Sequence, residues 1–127
     1  MHRKQIIHRD IKPDNILITD IKDFSVCITD LGMACRLSDE IELRIRCGTP
    51  GYVAPEILRE RKATTKVDIF SLGSLLFNMF TGLNLFRGAT AQEVLSQNKY
   101  SNPLNMINRM TKYNLKNVSA EGVDLLI

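Results

Sequence analysis

His8-Arg9-Asp10-Ile11-Lys12-Pro13-Asp14-Asn15 decides the reading of this chain. It sets an Asp five residues ahead of an Asn in one loop, with His-Arg in front and Pro13 as punctuation. Twenty residues after Asp10 comes Asp30-Leu31-Gly32, and later Ala54-Pro55-Glu56. Each block alone has a plain explanation. Asp30-Leu31-Gly32 reads as a turn, Glu56 as a solvated charge, and Asp68 as an acid capping a helix start. Order and spacing make them evidence together.

Around these blocks the chain punctuates itself. Residues 1–7 read as the tail of a helix that begins upstream. Ile16-Leu17-Ile18 and Phe24–Thr29 read as two short strands joined by a polar turn at 19–23. Residues 33–53, with Gly48, Pro50 and Gly51 close together, read as loop. The strongest helix is Val67–Phe80, with Thr65 placed to cap it and Gly82 placed to end it. Apolar side chains cover most of its circumference, which predicts a helix buried on all sides at the centre of the core. Thr90-Ala91-Gln92-Glu93 is a capping box opening a helix to about Asn98. The stretch 98–117 is ambiguous, with a short helix around Leu104–Met110, and Ser119 caps a last helix cut off at Ile127.

The three blocks, in this order, resemble the catalytic loop (8–15), the magnesium loop (30–32) and the end of the activation segment (30–56) of a eukaryotic-type Ser/Thr protein kinase. The resemblance implies an α+β, mainly α fold. It would be a kinase-like C-terminal lobe with one small β-hairpin, one partial kinase domain over 1–127, and the N-terminal lobe absent. It implies ATP and Mg2+ as cofactors and a protein carrying a Ser or Thr hydroxyl as substrate.

Phosphoryl transfer asks mainly for positioning and charge neutralisation. By resemblance Asp10 orients the attacking hydroxyl and accepts its proton. Lys12 lies against the transferring phosphate and favours the Ser/Thr class. Asn15 and Asp30 supply the hard oxygens that magnesium prefers. Asp14 stands at the nucleotide and substrate side, and Leu17 lies beneath the adenine ring. Thr49, Gly51 and Tyr52 form the substrate loop. His8, Arg9, Glu56 and Asp68 are structural by the same resemblance, Asp68 holding the catalytic-loop backbone.

Some positions depart from the family pattern. Leu31 replaces Phe after the magnesium Asp and keeps apolar volume. Ile45 stands where many kinases carry a phosphorylated Thr that pairs with the arginine here numbered Arg9. Asp39, Glu40 and Glu42 offer acids for Arg9, against the simpler reading of a solvated acidic loop. Gly51 and Asn78 occupy places where basophilic kinases carry Glu, so a mild basic preference at most is expected. The block Gly48–Glu56 and the later Gly82…Phe86 look most like the calcium/calmodulin-dependent kinase group.

Composition narrows the remaining classes. Hydrophobic residues make up 44% and charged residues 24%, ordinary for one globular domain. Seventeen basic against fourteen acidic residues give +3, scattered rather than clustered, which argues against nucleic-acid binding. No apolar run approaches the ~20 residues that span a bilayer, so an intracellular, cytoplasmic protein is expected. Cys27, Cys35 and Cys47 lack metal or disulfide spacing and read as reduced thiols, Cys27 buried in a strand and Cys47 in a loop.

The seven glycines make no G-x-G-x-x-G, and no strand carries a V-A-I-K lysine. The isolated chain is therefore expected to be inactive and marginally stable, with Glu56 lacking its usual Arg partner. The alternative is a non-catalytic half-kinase that binds a partner through residues 48–56 and the helix at 90–98. Retention of Asp10, Asn15 and Asp30 together argues against it.

Overall fold

The computed structural model describes residues 1–114 and 118–125. Among these residues four strands form two antiparallel pairs: β1 (Ile6–Ile7), β2 (Ile16–Asp20), β3 (Ser25–Ile28) and β4 (Cys35–Arg36). Helices follow: α1 (Pro55–Leu58), α2 (Lys66–Thr81), α3 (Ala91–Tyr100), α4 (Pro103–Asn114) and α5 (Ala120–Asp124). Mixed helices with few strands suit a piece of a kinase domain.

β2 and β3 form the expected hairpin, with Ile16 opposite Ile28 and a register shift between Ile18 and Asp20. The pairing of β1 with β4 was not expected. Ile6 faces Arg36 and Ile7 faces Cys35, so residues 6–7 are strand rather than a helix tail, and one end of the 33–53 loop is strand. The 3-10 turn His2–Lys4 ends at Gln5 in the left-handed region, which reverses the chain into β1. Two residues carry too little pattern to signal a strand.

α2 organises the core, though not as a helix buried all round. Ile69, Leu72 and Met79 are exposed, and they line open apolar clefts beside the hairpin and the first turn. The buried side of α2 holds Val67, Leu75 and Phe77 together with Asp68, Ser71 and Ser74. One cluster packs Ile7, Leu43, Val53, Ile57 and Leu58 against Val67. A second packs Phe77, Leu85, Phe86 and Ile107. Phe70 reaches both and stacks on Phe86 at 5.9 Å between centroids.

Gly82 ends α2 at φ 67°, where a left-handed residue lets its N–H reach the Asn78 carbonyl. Thr65 is the N-cap by position only; its side chain makes no capping bond. Asp68 is not a cap either, because its carboxylate turns across the fold. Thr90 does cap α3, accepting from the Glu93 N–H at 3.2 Å. Ser119 accepts from the Gly122 N–H at the start of α5, while Ile127 lies outside the described residues. α4 extends the short helix expected around Leu104–Met110 at both ends. Cys27 is exposed rather than buried, because the hairpin lies on the surface; Cys35 is the buried thiol.

The Asp68 carboxylate accepts from the backbone N–H of His8 at 2.9 Å and of Arg9 at 2.8 Å. His2 Nε2 lies 2.7 Å from the same carboxylate. Arg9 has φ 68°, a conformation that a non-glycine residue holds only when its surroundings impose it. In the whole protein, Asp68→Ala should strand two buried donors and lower stability by about 2–4 kcal/mol. Urea denaturation followed by circular dichroism reads this loss.

Candidate active site

The stretch 8–15 runs off β1 and is fastened at both ends. Asp68 holds His8 and Arg9, and the Thr29 N–H donates to the Asn15 carbonyl at 2.9 Å. His8 is buried; its Nε2 meets the Thr29 carbonyl at 3.0 Å and its Nδ1 accepts from the Asp10 N–H at 3.2 Å. With both ring nitrogens engaged, His8 braces the loop.

Four side chains converge between this loop and Thr49. The Thr49 hydroxyl donates to Asp10 Oδ1 at 2.6 Å. Lys12 Nζ lies 2.9 Å from Asp10 Oδ2 and donates to Thr49 Oγ1 at 2.9 Å. Asn15 Nδ2 donates to the Asp10 carbonyl at 2.9 Å and to Oδ2 at 3.1 Å. Asp10 and Asn15 are buried, and Lys12 is half-buried. Burial pushes the Asp10 carboxyl up, but the Thr49 hydroxyl, the Lys12 ammonium and the Asn15 amide together hold it below its ordinary value. Lys12 is raised, first by its hydrogen bond to Asp10.

Asp30 sits at φ 59°, one residue beyond the tie between Thr29 and Asn15, and its Oδ1 accepts from the Gly32 N–H at 3.1 Å. Its exposed carboxylate and the Asn15 amide oxygen come from neighbouring positions of two paired segments. Asn15 commits its NH2 to Asp10, which leaves the amide oxygen as its cation-binding group. One carboxylate and one amide oxygen fit magnesium, which takes few protein ligands and completes its shell with water and phosphate oxygens. Among the described residues no three His, Cys, Asp or Glu side chains cluster as a metal cage.

Leu17 is exposed on β2, and Asp14 is exposed on the adjacent 3-10 turn. Tyr52 is half-buried, and its phenol is raised by burial and then by the Asp14 carboxylate. Gly51 holds φ 92°, so a side chain there would be strained. Glu56 is half-buried and has no ion-pair partner among the described residues.

The acidic loop is not simply solvated. Glu42 Oε2 accepts from Arg9 Nη2 at 2.8 Å, the Glu42 carbonyl accepts from Arg9 Nη1, and the Met33 carbonyl accepts from Arg9 Nε at 2.6 Å. Asp39 accepts from the Glu42 N–H and Glu40 pairs with Lys62. Sequence reasoning singled out Ser71 only as part of the pattern Asp68-Ile69-Phe70-Ser71-Leu72-Gly73, and it missed Ser74 and Asn98. Each is a buried polar side chain bonded to the backbone of 51–53. The only signal for Ser74 and Asn98 is a polar residue on an apolar helix face.

A model of the protein kinase domain matches residues 1–127. Among relatives, the chain is 43% identical over 99 residues to "Probable serine/threonine-protein kinase 2" of Plasmodium falciparum, covering 77% of this chain and 19% of that protein. It is 35% identical over 104 residues to bovine myosin light chain kinase 2, skeletal/cardiac muscle, covering 79% and 17%. It is 40% identical over 88 residues to the bovine phosphorylase b kinase gamma catalytic chain, liver/testis isoform, covering 65% and 21%. The chain belongs to the protein kinase domain family, and by its relatives the domain is of the serine/threonine class. It spans about a fifth of the length of these relatives.

Asp10 and Lys12 give their pairing a defined pH window. Asp10, lowered from 3.8, contributes stability present above that ordinary value and lost as pH falls through its lower folded value. Lys12, raised from 10.5, contributes below that value and loses its contribution as pH rises through the higher one. The stability gap between the wild-type protein and Lys12→Met should therefore stay flat from about pH 5 to about pH 9 and narrow below about pH 3.8. Denaturation titrations across that range check it.

Proposed function

We propose that this chain is the large, mainly helical C-terminal lobe of a serine/threonine protein kinase. The whole protein transfers the γ-phosphoryl of ATP to a protein hydroxyl. The observation that carries the reading is the hydrogen-bonded set of Asp10, Lys12, Asn15 and Thr49. A binding module has no physical need for a buried carboxylate held ionised beside an ammonium.

In this reading the substrate hydroxyl replaces the Thr49 hydroxyl as the donor to the Asp10 carboxylate. The hydroxyl oxygen bonds to the γ-phosphorus as the bond to the ADP oxygen breaks, and the hydroxyl proton passes to Asp10. A carboxylate held below its ordinary pKa orients well and is a weak base, which suits a loose transition state with late proton transfer. Lys12 balances charge on the moving phosphoryl. Asn15 and Asp30 would hold magnesium, which supplies neutralisation of phosphate charge. Leu17 and Asp14 lie on the nucleotide side. Thr49, Gly51 and Tyr52 receive the substrate, and Gly51 and Asn78 leave at most a mild preference for basic residues. The lobe that covers ATP belongs to the rest of the whole protein.

Arg9 and Glu42 indicate how the activation segment is held. Glu42 places a carboxylate on Arg9 where a phosphate would otherwise serve, which accounts for Ile45. The block Gly48–Glu56 supports a place near the calcium/calmodulin-dependent group.

Transfer of labelled phosphate to a degenerate Ser/Thr peptide library tests the reading. The full-length protein should label peptides with magnesium, and Asp10→Asn should lower kcat by about 10²–10⁴-fold with little change in ATP binding. Label retained by Asp10→Asn would sink the assignment. Glu42→Gln should lower activity about tenfold, roughly the worth of one charge-assisted bond, while phosphatase treatment leaves the wild type unchanged. Inactivation by phosphatase would show that a phosphate, not Glu42, holds the segment.

A further inference from the structure

α3 carries its inward apolar positions at Val94 and Leu95, and the next turn of the same face presents Asn98. An asparagine with 1% exposure on that face requires partners. It has two, both backbone. Its Oδ1 accepts from the Gly51 N–H at 2.9 Å, and its Nδ2 donates to the Val53 carbonyl at 3.0 Å. Two buried serines of α2 act on the same residues. Ser74 Oγ donates to the Gly51 carbonyl at 2.6 Å, and Ser71 Oγ lies 2.8 Å from the Tyr52 carbonyl. The backbone of three consecutive residues is thus gripped from two helices.

That grip transmits to the reacting centre. The N–H groups of Tyr52 and Val53 both donate to the Thr49 carbonyl, at 3.0 and 2.9 Å. Thr49 in turn bonds Asp10 and Lys12. On its other side the gripped segment walls a cavity of about 150 Å³ lined by Pro50, Tyr52, Asn84, Phe86 and Val94 among others, none of them charged. Gly51, at φ 92°, leaves the loop without a side chain to anchor itself at its centre. The anchor is supplied from outside, and only a carboxamide offers a neutral donor and acceptor side by side.

We propose that Asn98 is a positioning residue for the protein substrate: its carboxamide, with Ser74 and Ser71, sets the height and register of residues 49–53 against Asp10. The inference rests on the kinase reading and deepens it. Asn98 touches neither nucleotide nor substrate, so its loss acts on the peptide side of the reaction and leaves the nucleotide side alone.

The test uses the full-length protein with Asn98→Leu, which removes both bonds, and Asn98→Asp, which keeps an acceptor for Gly51 and loses the donor to Val53. Expected is a rise of about tenfold in KM for a peptide substrate, with KM for ATP unchanged. Trypsin should also cleave faster after the exposed Arg46, a readout independent of catalysis. An unchanged peptide KM in a folded variant overturns the proposal. So does an equal rise in both KM values, which marks general loosening, or failure of both variants to fold, which marks a purely structural amide. A wild type that transfers no phosphate sinks the kinase reading and the substrate role with it. Normal wild-type transfer with unaltered variants sinks the Asn98 role alone.

Discussion

The Asp68 carboxylate is the contact on which the rest of the site depends. It faces two consecutive backbone N–H groups that the left-handed turn at Arg9 points in one direction. Without an acceptor there, that turn would leave two donors in a buried setting and a costly backbone geometry. With it, the start of the stretch 8–15 is pinned to α2, whose residues pack into both apolar clusters. The apolar packing of α2 thereby becomes positional control over Asp10 two residues further on.

The cluster around Asp10 shows the same economy of polar groups. Asp10 is nearly inaccessible, yet it stays ionised because Thr49, Lys12 and Asn15 together outweigh its desolvation. Removing any one would shift the balance toward the neutral acid. Arg9 links this cluster to the loop that follows β3, through Met33 on one side and Glu42 on the other. The geometry of the loop, the charge of Asp10 and the order of residues 33–49 are therefore facets of one connected network.

Much of this was legible in the residues. The hairpin followed from two short strand-like runs joined by a polar turn, α2 from its length and Gly82, and α3 from its capping box. The composition of the stretch 8–15 pointed to the family that the comparisons show. Misreadings of exposure shared one origin, the inference of burial from local pattern. The apolar runs of α2 and the hairpin predicted burial for Ile69, Met79 and Cys27, which are exposed. The two-residue strands β1 and β4 fell below any periodic signal.

The sequence by itself determined which chemical groups are present, in which order, and which short stretches coil or extend, because propensity, capping and periodicity are local. Only the tertiary structure decided that Thr49 meets an Asp 39 residues away, that Glu42 rather than Asp39 or Glu40 takes Arg9, and that Asn98 reaches Gly51 and Val53. Those contacts are single hydrogen bonds across long chain separations, several of them to backbone. A backbone N–H or carbonyl is the same at almost every residue, so the identity of the partner leaves no mark in the sequence.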